Sequence, residues 1–527
     1  MDREAHDASR PKNNNNRNRE HDSPQTRCFA FNLHQHWSEY TGMTPLMLMV
    51  VAGAGIALLL FLVLKYKFQP FVALMLVSII VALVAGVKPA DLVATIEGGM
   101  GKTLGHIAII IALGAMIGRI IELSGGAEAL ARTLINRFGN KRTPLALTIA
   151  GFMVGIPVFF EVGVIILMPL AYGVARAARK PLLIFALPMC AALLAVHAFL
   201  PPHPGAVAAA SQLGADLGRV LMLGIPIVAV LCMVGYFVAG RMTRKTYPMT
   251  DDIRAEVYGP HVTNEDLEAW ARNDYSGVRE ATETKTLGAE ESASSLASKL
   301  PPAPAPGFGL IIALILLPIV LILMGTLATT LLPATSTLRA VLTVLGAPLV
   351  ALLIDTLLCA WLLGSRRGWS RTQVSDVIGS ALPGVAMVIL IAGAGGVFGK
   401  VLVDTGIGAV VSEALRNTGL PVLALGFLLT LLLRAVQGST TVALVTTAGI
   451  LSPLIATLDL SANHLALLCL AMGGGGLAMS HINDAGYWMF TKLAGLNVAD
   501  GLRTWTVLVT LLGTLGFVIT LLLWPFV

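Results

Sequence analysis

LALTIAGFMVGIPVFFEVGVIILMPLAYGVA, residues 145–175, is apolar almost throughout, yet Arg132, Arg137, Lys141 and Arg142 precede it and Arg176, Arg179 and Lys180 follow it. Basic residues beside apolar segments mark the cytoplasmic side of a membrane, so both ends of this segment belong on that side. A segment with both ends on one side does not cross. Its middle, GIPVFFEVG at 155–163, places glycine and proline where two short arms meet, and the whole reads as a re-entrant hairpin dipping from the cytoplasm.

Composition supports that setting across the chain. Of 527 residues, 56% are hydrophobic and 13% charged, and the mean hydropathy is +0.79, far from the balance of a soluble domain. Apolar segments run over 44–64, 70–87, 104–123, 145–175, 181–216 and 220–240, and again over 310–332, 338–364, 377–403, 421–454, 464–494 and 504–524. Most are long enough to span hydrocarbon as helices, and the alternation of a β-barrel is absent. The expected fold is therefore an all-α polytopic membrane protein. It comprises a disordered polar tail at 1–43, a first repeat at 44–240, a polar cytoplasmic linker at 241–306 and a second repeat at 307–527. The tail has no apolar region of the secretory type, and Met43, just before the first span, is an alternative start. The linker carries charges of both signs and ends in PPAPAPG, a composition poor in core-forming residues.

The two halves answer one another. GRIIELSG at 118–125 aligns with GKVLVDTG at 399–406, MPL at 168–170 with SPL at 452–454, and His197 with His481. Internal symmetry of this sort is the mark of a repeat-built carrier. In the second half the segment 421–454 breaks at RAVQGSTT and has only Arg416 before it and Asp459 after it, so its hairpin should dip from the outside. With the hairpins not crossing, each half crosses an odd number of times, and the second repeat is expected to be inverted. Arg241, Arg244, Lys245, Arg366, Arg367 and Arg371 then fall inside, while both termini fall outside.

The net charge of +6 is thus topology information and not a nucleic-acid footprint. Cys190, Cys232, Cys359 and Cys469 are scattered singly through apolar segments and Cys28 lies in the tail, with no metal-ligand spacing; they read as packing residues. GGMGKT at 98–103 lacks a phosphate loop's first glycine, since Ile96 stands there, and no strand precedes it. No nucleophile and base share a soluble domain, so no enzyme is expected.

Backbone that leaves the helix at membrane depth survives only where it is buried in protein or lines a wet cavity. Four such breaks stand out: GIPVFFEVG, RAVQGSTT, HAFLPPHPG at 197–205 and GGGGLAMSHINDAG at 473–486. In the third, prolines free carbonyls on the preceding turn; in the fourth, Gly473 to Gly476 are expected to weaken the helix. Half-helix ends at such breaks are ready ligands for polar solutes.

Charged groups at these depths are functional candidates by default. Arg434 beside Ser439, Thr440 and Thr441 suits a carboxylate, which a guanidinium can grip bidentately; Gln437, Asn483 and Asp484 suit hydroxyls. Together they point to a polyhydroxy acid. Gly438 at one tip, Pro157 and Phe160 at the other, and His203 in the proline break complete the candidate solute-binding set. Glu161, His197 and His481 are the candidates for a coupling proton, with histidine favoured because it titrates near neutral pH. Blander roles stand beside these. Proline kinks are common in membrane helices, a histidine can simply bridge two helices, Glu161 can pair permanently with a cation, and Arg119 and Lys400 near span ends can snorkel. An ion channel or pump subunit uses similar intramembrane groups and stays open as an alternative at this point.

GGMGKTLGHIAIIIALGAMIGRIIELSGGAE, GIPVFFEVG, HAFLPPHPG, RAVQGSTTVA and SHINDAGYW together resemble the gluconate permease family of proton symporters, within the ion-transporter grouping with paired hairpins. The resemblance covers nearly everything after Met43 except the linker. It implies import of gluconate or a related sugar acid with protons across the bacterial inner membrane, in the lipid bilayer. No cofactor is expected, and a homodimer is compatible with a repeat-built carrier, the sequence leaving the oligomeric state open. Relatives of this type also carry idonate, fructuronate or D-serine, so the acid itself stays open.

Overall fold

The computed structural model describes residues 43–66, 68–139, 142–272, 300–407, 410, 421–482 and 484–527, and every regular element among them is helical. The tail over 1–42, the linker over 273–299, and the expectations placed on Lys141, Arg416 and Asn483 lie outside the described residues.

The first half runs through α1 (Pro45–Leu64), α2 (Pro70–Val84), α3 (Pro89–Leu123), α4 (Gly126–Phe138), α5 (Thr143–Gly155), α6 (Phe160–Ala178), α7 (Leu183–Phe199), α8 (Pro204–Leu213) and α9 (Leu217–Met242). Two short helices follow, α10 (Asp251–Tyr258) and α11 (Asn264–Arg272). The second half has α12 (Phe308–Leu331), α13 (Thr337–Leu345), α14 (Pro348–Cys359), α15 (Arg371–Gly379), α16 (Leu382–Asp404), α17 (Val422–Gln437), α18 (Thr440–Ile455), α19 (Ala462–Leu477) and α20 (Ala485–Leu493). It closes with α21 (Val498–Gly501), which passes through a π turn at Leu502–Thr506 into α22 (Val507–Leu523).

Proline sets many of these starts. It occupies the first turn of α1, α2, α3, α5, α8, α14 and α16, where its missing N–H has no helical partner to lose and its φ is already helical. Side-chain caps start others: Asp216, Ser439, Ser461 and Asp484 each accept from a first-turn N–H, which satisfies one of the orphan donors there.

Among the described residues, eight helical stretches are long and apolar enough to cross a membrane. The hairpin arms are shorter. α5 has 13 residues and α17 and α18 have 16 each, or about 20 and 24 Å at 1.5 Å per residue, against a hydrocarbon core of about 30 Å; α6, with 19 residues, is one of the eight. The order of elements recurs: α5 packs on α7 as α17 packs on α19, and α7 packs on α9 as α19 packs on α22. α3 and α16 pack along each other and join the halves. The broken helix α7–α8 forms the centre, 94% buried, where the outer helices α9, α12 and α22 bury 33–44%. A lipid-facing helix needs only one stripe against protein, whereas a central one is packed all round.

Several features depart from the expectations. α3 begins at Pro89, well before 104, and its 35 residues reach about 52 Å. The segment 338–364 breaks into α13 and α14 at Gly346 and Ala347, a fifth interruption. The linker is packed over its first part: Val257 and Leu267 are fully buried, Arg176 donates to the carbonyls of Val257 and Glu256 at 2.5 and 2.7 Å, and Tyr258 donates to the Lys180 carbonyl at 2.7 Å. α10 packs on α6 and takes donors from the basic end of that hairpin arm, while Leu267 of α11 lines a pocket with Leu182, Tyr247 and Leu496. Gly473 to Gly476 do not weaken their helix either, since α19 continues to Leu477. Side chains begun at Gly473, Gly474 and Gly475 would lie 2.9 Å from the Ala198 carbonyl, 2.6 Å from that of Gly513 and 2.4 Å from that of Phe427. The glycines let α19 touch the backbones of α7, α22 and α17.

Candidate functional site

The first hairpin turns at residues 156–159, between α5 and α6. Its Pro157 carbonyl sits so close to α3 that a side chain at Gly118 would begin 2.1 Å from it. Next to it lies the first break, residues 200–203 between α7 and α8. His203 is buried and donates through Nε2 to the Gly155 carbonyl at 2.7 Å, with the Phe159 ring edge-on at 5.9 Å. That bond fixes the tautomer, leaving Nδ1 as an acceptor. His197, on the last turn of α7, lies against it with ring centroids 4.3 Å apart.

The second hairpin turns at Gly438, whose φ of +76° is a left-handed conformation that glycine adopts without strain. Ser439 caps α18 by accepting from Val442 N–H. Thr441 Oγ1 faces His197 Nε2 at 3.5 Å, so the tip of this hairpin meets the first break. Thr440 donates to the Gly476 carbonyl at 3.0 Å and His481 donates through Nε2 to the Ala435 carbonyl at 2.8 Å, joining the tip to the second break, residues 478–484.

The strongest contact of that seam is ionic. Arg434, 1% exposed, places Nη2 2.5 Å from Asp484 Oδ2 and Nη1 on the Gly438 carbonyl. Asp484 also accepts from Ser480 Oγ and, at 2.9 Å, from Gly486 N–H. Trp505, in the π turn before α22, donates to Ser480 at 2.8 Å. A buried carboxylate with a guanidinium and two further donors is well compensated. Phe160, fully buried, closes the circuit: its ring lies against Gly486 and 5.8 Å from that of Trp505.

The four breaks therefore form a ring in the order first hairpin, first broken helix, second hairpin, second broken helix. Around it, polar atoms are buried without a partner among the described residues: His197 Nδ1, His203 Nδ1, Arg434 Nε and both ends of the Gln437 amide. Buried polar atoms are rarely left so in a resting core. From the ring, α8 and α18 run side by side, and Ser452 Oγ donates to the Gln212 carbonyl at 2.8 Å. At their far ends opens a cavity of about 900 Å³, lined by Lys102, Thr103, Gln212, Lys400 and Ser452 among others. Lys400 is paired there with Asp404 at 2.5 Å.

A family model described as GntP family permease matches residues 46–272 and 276–527. The chain belongs to the GntP permease family. It is 46% identical over 460 residues to the inner membrane permease YgbN of Escherichia coli, covering 87% of this chain and 94% of that one. It is 34% identical to the gluconate permease of Bacillus licheniformis, covering 88% and 96%, and 34% identical to an L-idonate transporter of Escherichia coli, covering 86% and 93%. Among solved structures, the Alcanivorax borkumensis YdaH transporter has the same overall fold, with a TM-score of 0.59 at 14% identity over 86% of this chain and 98% of that one. This permease is a multi-pass membrane transporter and not an enzyme.

The permease brings Pro157, Phe160, His197, His203, Arg434, Gln437, Gly438, Ser439, Thr440, Thr441, His481 and Asp484 to this ring. Two of the Arg434 donor positions meet protein groups, leaving Nε rather than a free fork. Glu161 stands in the first turn of α6 with an exposed side chain, where a helix N-terminus favours a carboxylate. Sequence reasoning did not single out Ser480 or Trp505, which orient Asp484; a tryptophan in an apolar run carries no periodic signal. It also passed over Asp355, although an acid inside the apolar run of α14 meets the same test that picked Glu161.

Proposed function

We propose that this permease imports gluconate or a related sugar acid together with protons, by alternating access between two inverted repeats. The observation that carries the reading is the ring of four breaks with its unpartnered buried atoms. Arg434 Nε is a donor to a carboxylate, while His203 Nδ1 and the Gln437 amide complement hydroxyls. Relatives named for gluconate and idonate support the substrate class. The two hairpins occupy opposite positions in the ring, so moving either tip opens one side of the same site, which is how repeat-built carriers expose a midplane site alternately. The large cavity past α8 and α18, with lysines at its wall, suits the outer approach of an anion.

Reconstitution tests this. Purified permease in liposomes given an inward proton gradient should concentrate labelled gluconate, and a panel of sugar acids with D-serine as competitors should rank its substrates. Failure to concentrate any of these acids would remove the symport reading.

A further inference from the structure

Asp355 lies in the middle of α14 and is fully buried, with Oδ2 unpartnered and Oδ1 3.9 Å from Cys359 Sγ, one turn along. It lines a cavity of about 20 Å³, room for about one water. Pro157 of the first hairpin and Pro201 and Pro202 of the first break line the same cavity. Asp355 thus shares a cavity with two of the four elements of the ring.

Its surroundings offer a charge little. α3 presents Ile110 and Ile117 to the cavity, and α8, α9 and α12 likewise present only apolar side chains there. Among the described residues no other charged side chain lines the cavity, and Arg119 pairs with Glu122 at 2.8 Å, Arg219 donates to Asn463, and Arg339 donates to the Leu332 carbonyl at 3.0 Å. Among the described residues, Cys359 is the one other titratable group shown against it. A carboxylate in such a place has no counter-charge and no donor beyond the weak Cys359 thiol, at a cost of several kcal/mol, whereas the neutral acid fits.

We infer that Asp355 is the proton-binding site of this transporter, loaded in the conformation seen here and unloaded when the proline turns move off it. The inference rests on the proton-symport reading above and names its coupling group. His203 of the turn at 200–203 bonds to Gly155 within the ring, while Pro201 and Pro202 of the same turn line the cavity of Asp355. Release of the proton to water requires the cavity to open, which moves the same turns that help close the ring. Proton loss and solute-site rearrangement are therefore linked through one backbone element. The π turn at Ala360–Gly364, immediately after α14, supplies a local irregularity of the kind frequent at functional sites.

The test uses full-length protein in liposomes. Symport of one proton with a monovalent acid anion is electroneutral, so a gradient of one pH unit supports about tenfold accumulation. Asp355→Asn should reduce that ratio to about one while labelled-for-unlabelled gluconate exchange stays measurable. Accumulation by the variant at the wild-type ratio would overturn the assignment. Wild-type protein that exchanges gluconate but does not concentrate it would instead remove the symport reading and leave a different failure on record. Should the variant neither exchange nor accumulate, the wild-type protein decides. A hydrophobic carbodiimide attacks protonated carboxyls in apolar pockets, and peptide mass spectrometry should find the adduct on Asp355, declining as pH rises; no adduct there at any pH overturns the inference.

Discussion

Replacing Gly118 with alanine places a methyl carbon 2.1 Å from the Pro157 carbonyl oxygen. Carbon and oxygen do not approach closer than about 3 Å without strain, so α3 and the first hairpin tip must part by about 1 Å, and the contact is backbone on one side with no rotamer to yield. Overpacking of this kind costs about 1–3 kcal/mol. The penalty falls only on conformations in which the tip is seated, so it lowers their population by about 5- to 150-fold relative to any state in which the tip has withdrawn. The position that the motif GKVLVDTG aligns with it is a control: a side chain at Gly399 meets nothing nearer than 3.7 Å, an ordinary contact. Uptake of labelled gluconate, normalised to protein in the membrane, should fall by at least several-fold for Gly118→Ala and hold for Gly399→Ala, with a lower thermal midpoint for the first alone. Equal uptake and equal stability for both variants would refute the reasoning, because the two glycines occupy corresponding sequence positions and differ only in what faces them.

Arg434→Gln strands Asp484 in a buried site and should cost about 3–5 kcal/mol of stability along with uptake; combining it with Asp484→Asn should restore part of the thermal midpoint but not transport. Phe160→Ala empties a fully buried aromatic site against Gly486 and Trp505 and should destabilise by about 3–5 kcal/mol, read as a drop in thermal midpoint in detergent. Tyr258→Phe removes one hydrogen bond to the Lys180 carbonyl, worth about 0.5–1.5 kcal/mol; limited proteolysis should cut within 241–272 faster while transport is retained.

What could be read in advance was whatever leaves a local mark. Flanking arginines gave away the first hairpin, and glycine or proline gave away the four breaks, because both chemistries are visible within a few residues. The partners of those breaks were not visible. That His203 would meet Gly155, or His197 the distant Thr441, depends on helices folded back across the whole chain. Arg434 looked like a free fork for a carboxylate because Asp484, fifty residues on, carries no sign of being its neighbour. Gly473 to Gly476 were misread for a related reason: four glycines argue for a weak helix unless the backbones packed on each side are known. α10 and α11 were missed because their packing uses few apolar residues and borrows donors from α6.

The ring takes one hairpin and one broken helix from each half of the chain, and the two pairs adjoin at two of its four seams. A half-length ancestor with one hairpin and one broken helix would own only part of such a ring, and would have needed a second copy of itself to complete the circuit. Under such a history the two copies would differ where their surroundings do: a side chain at Gly118 meets a carbonyl while Gly399 has room to spare. Expressing 43–272 and 300–527 as separate chains is a way to run that history backwards, with transport returning only when both are present.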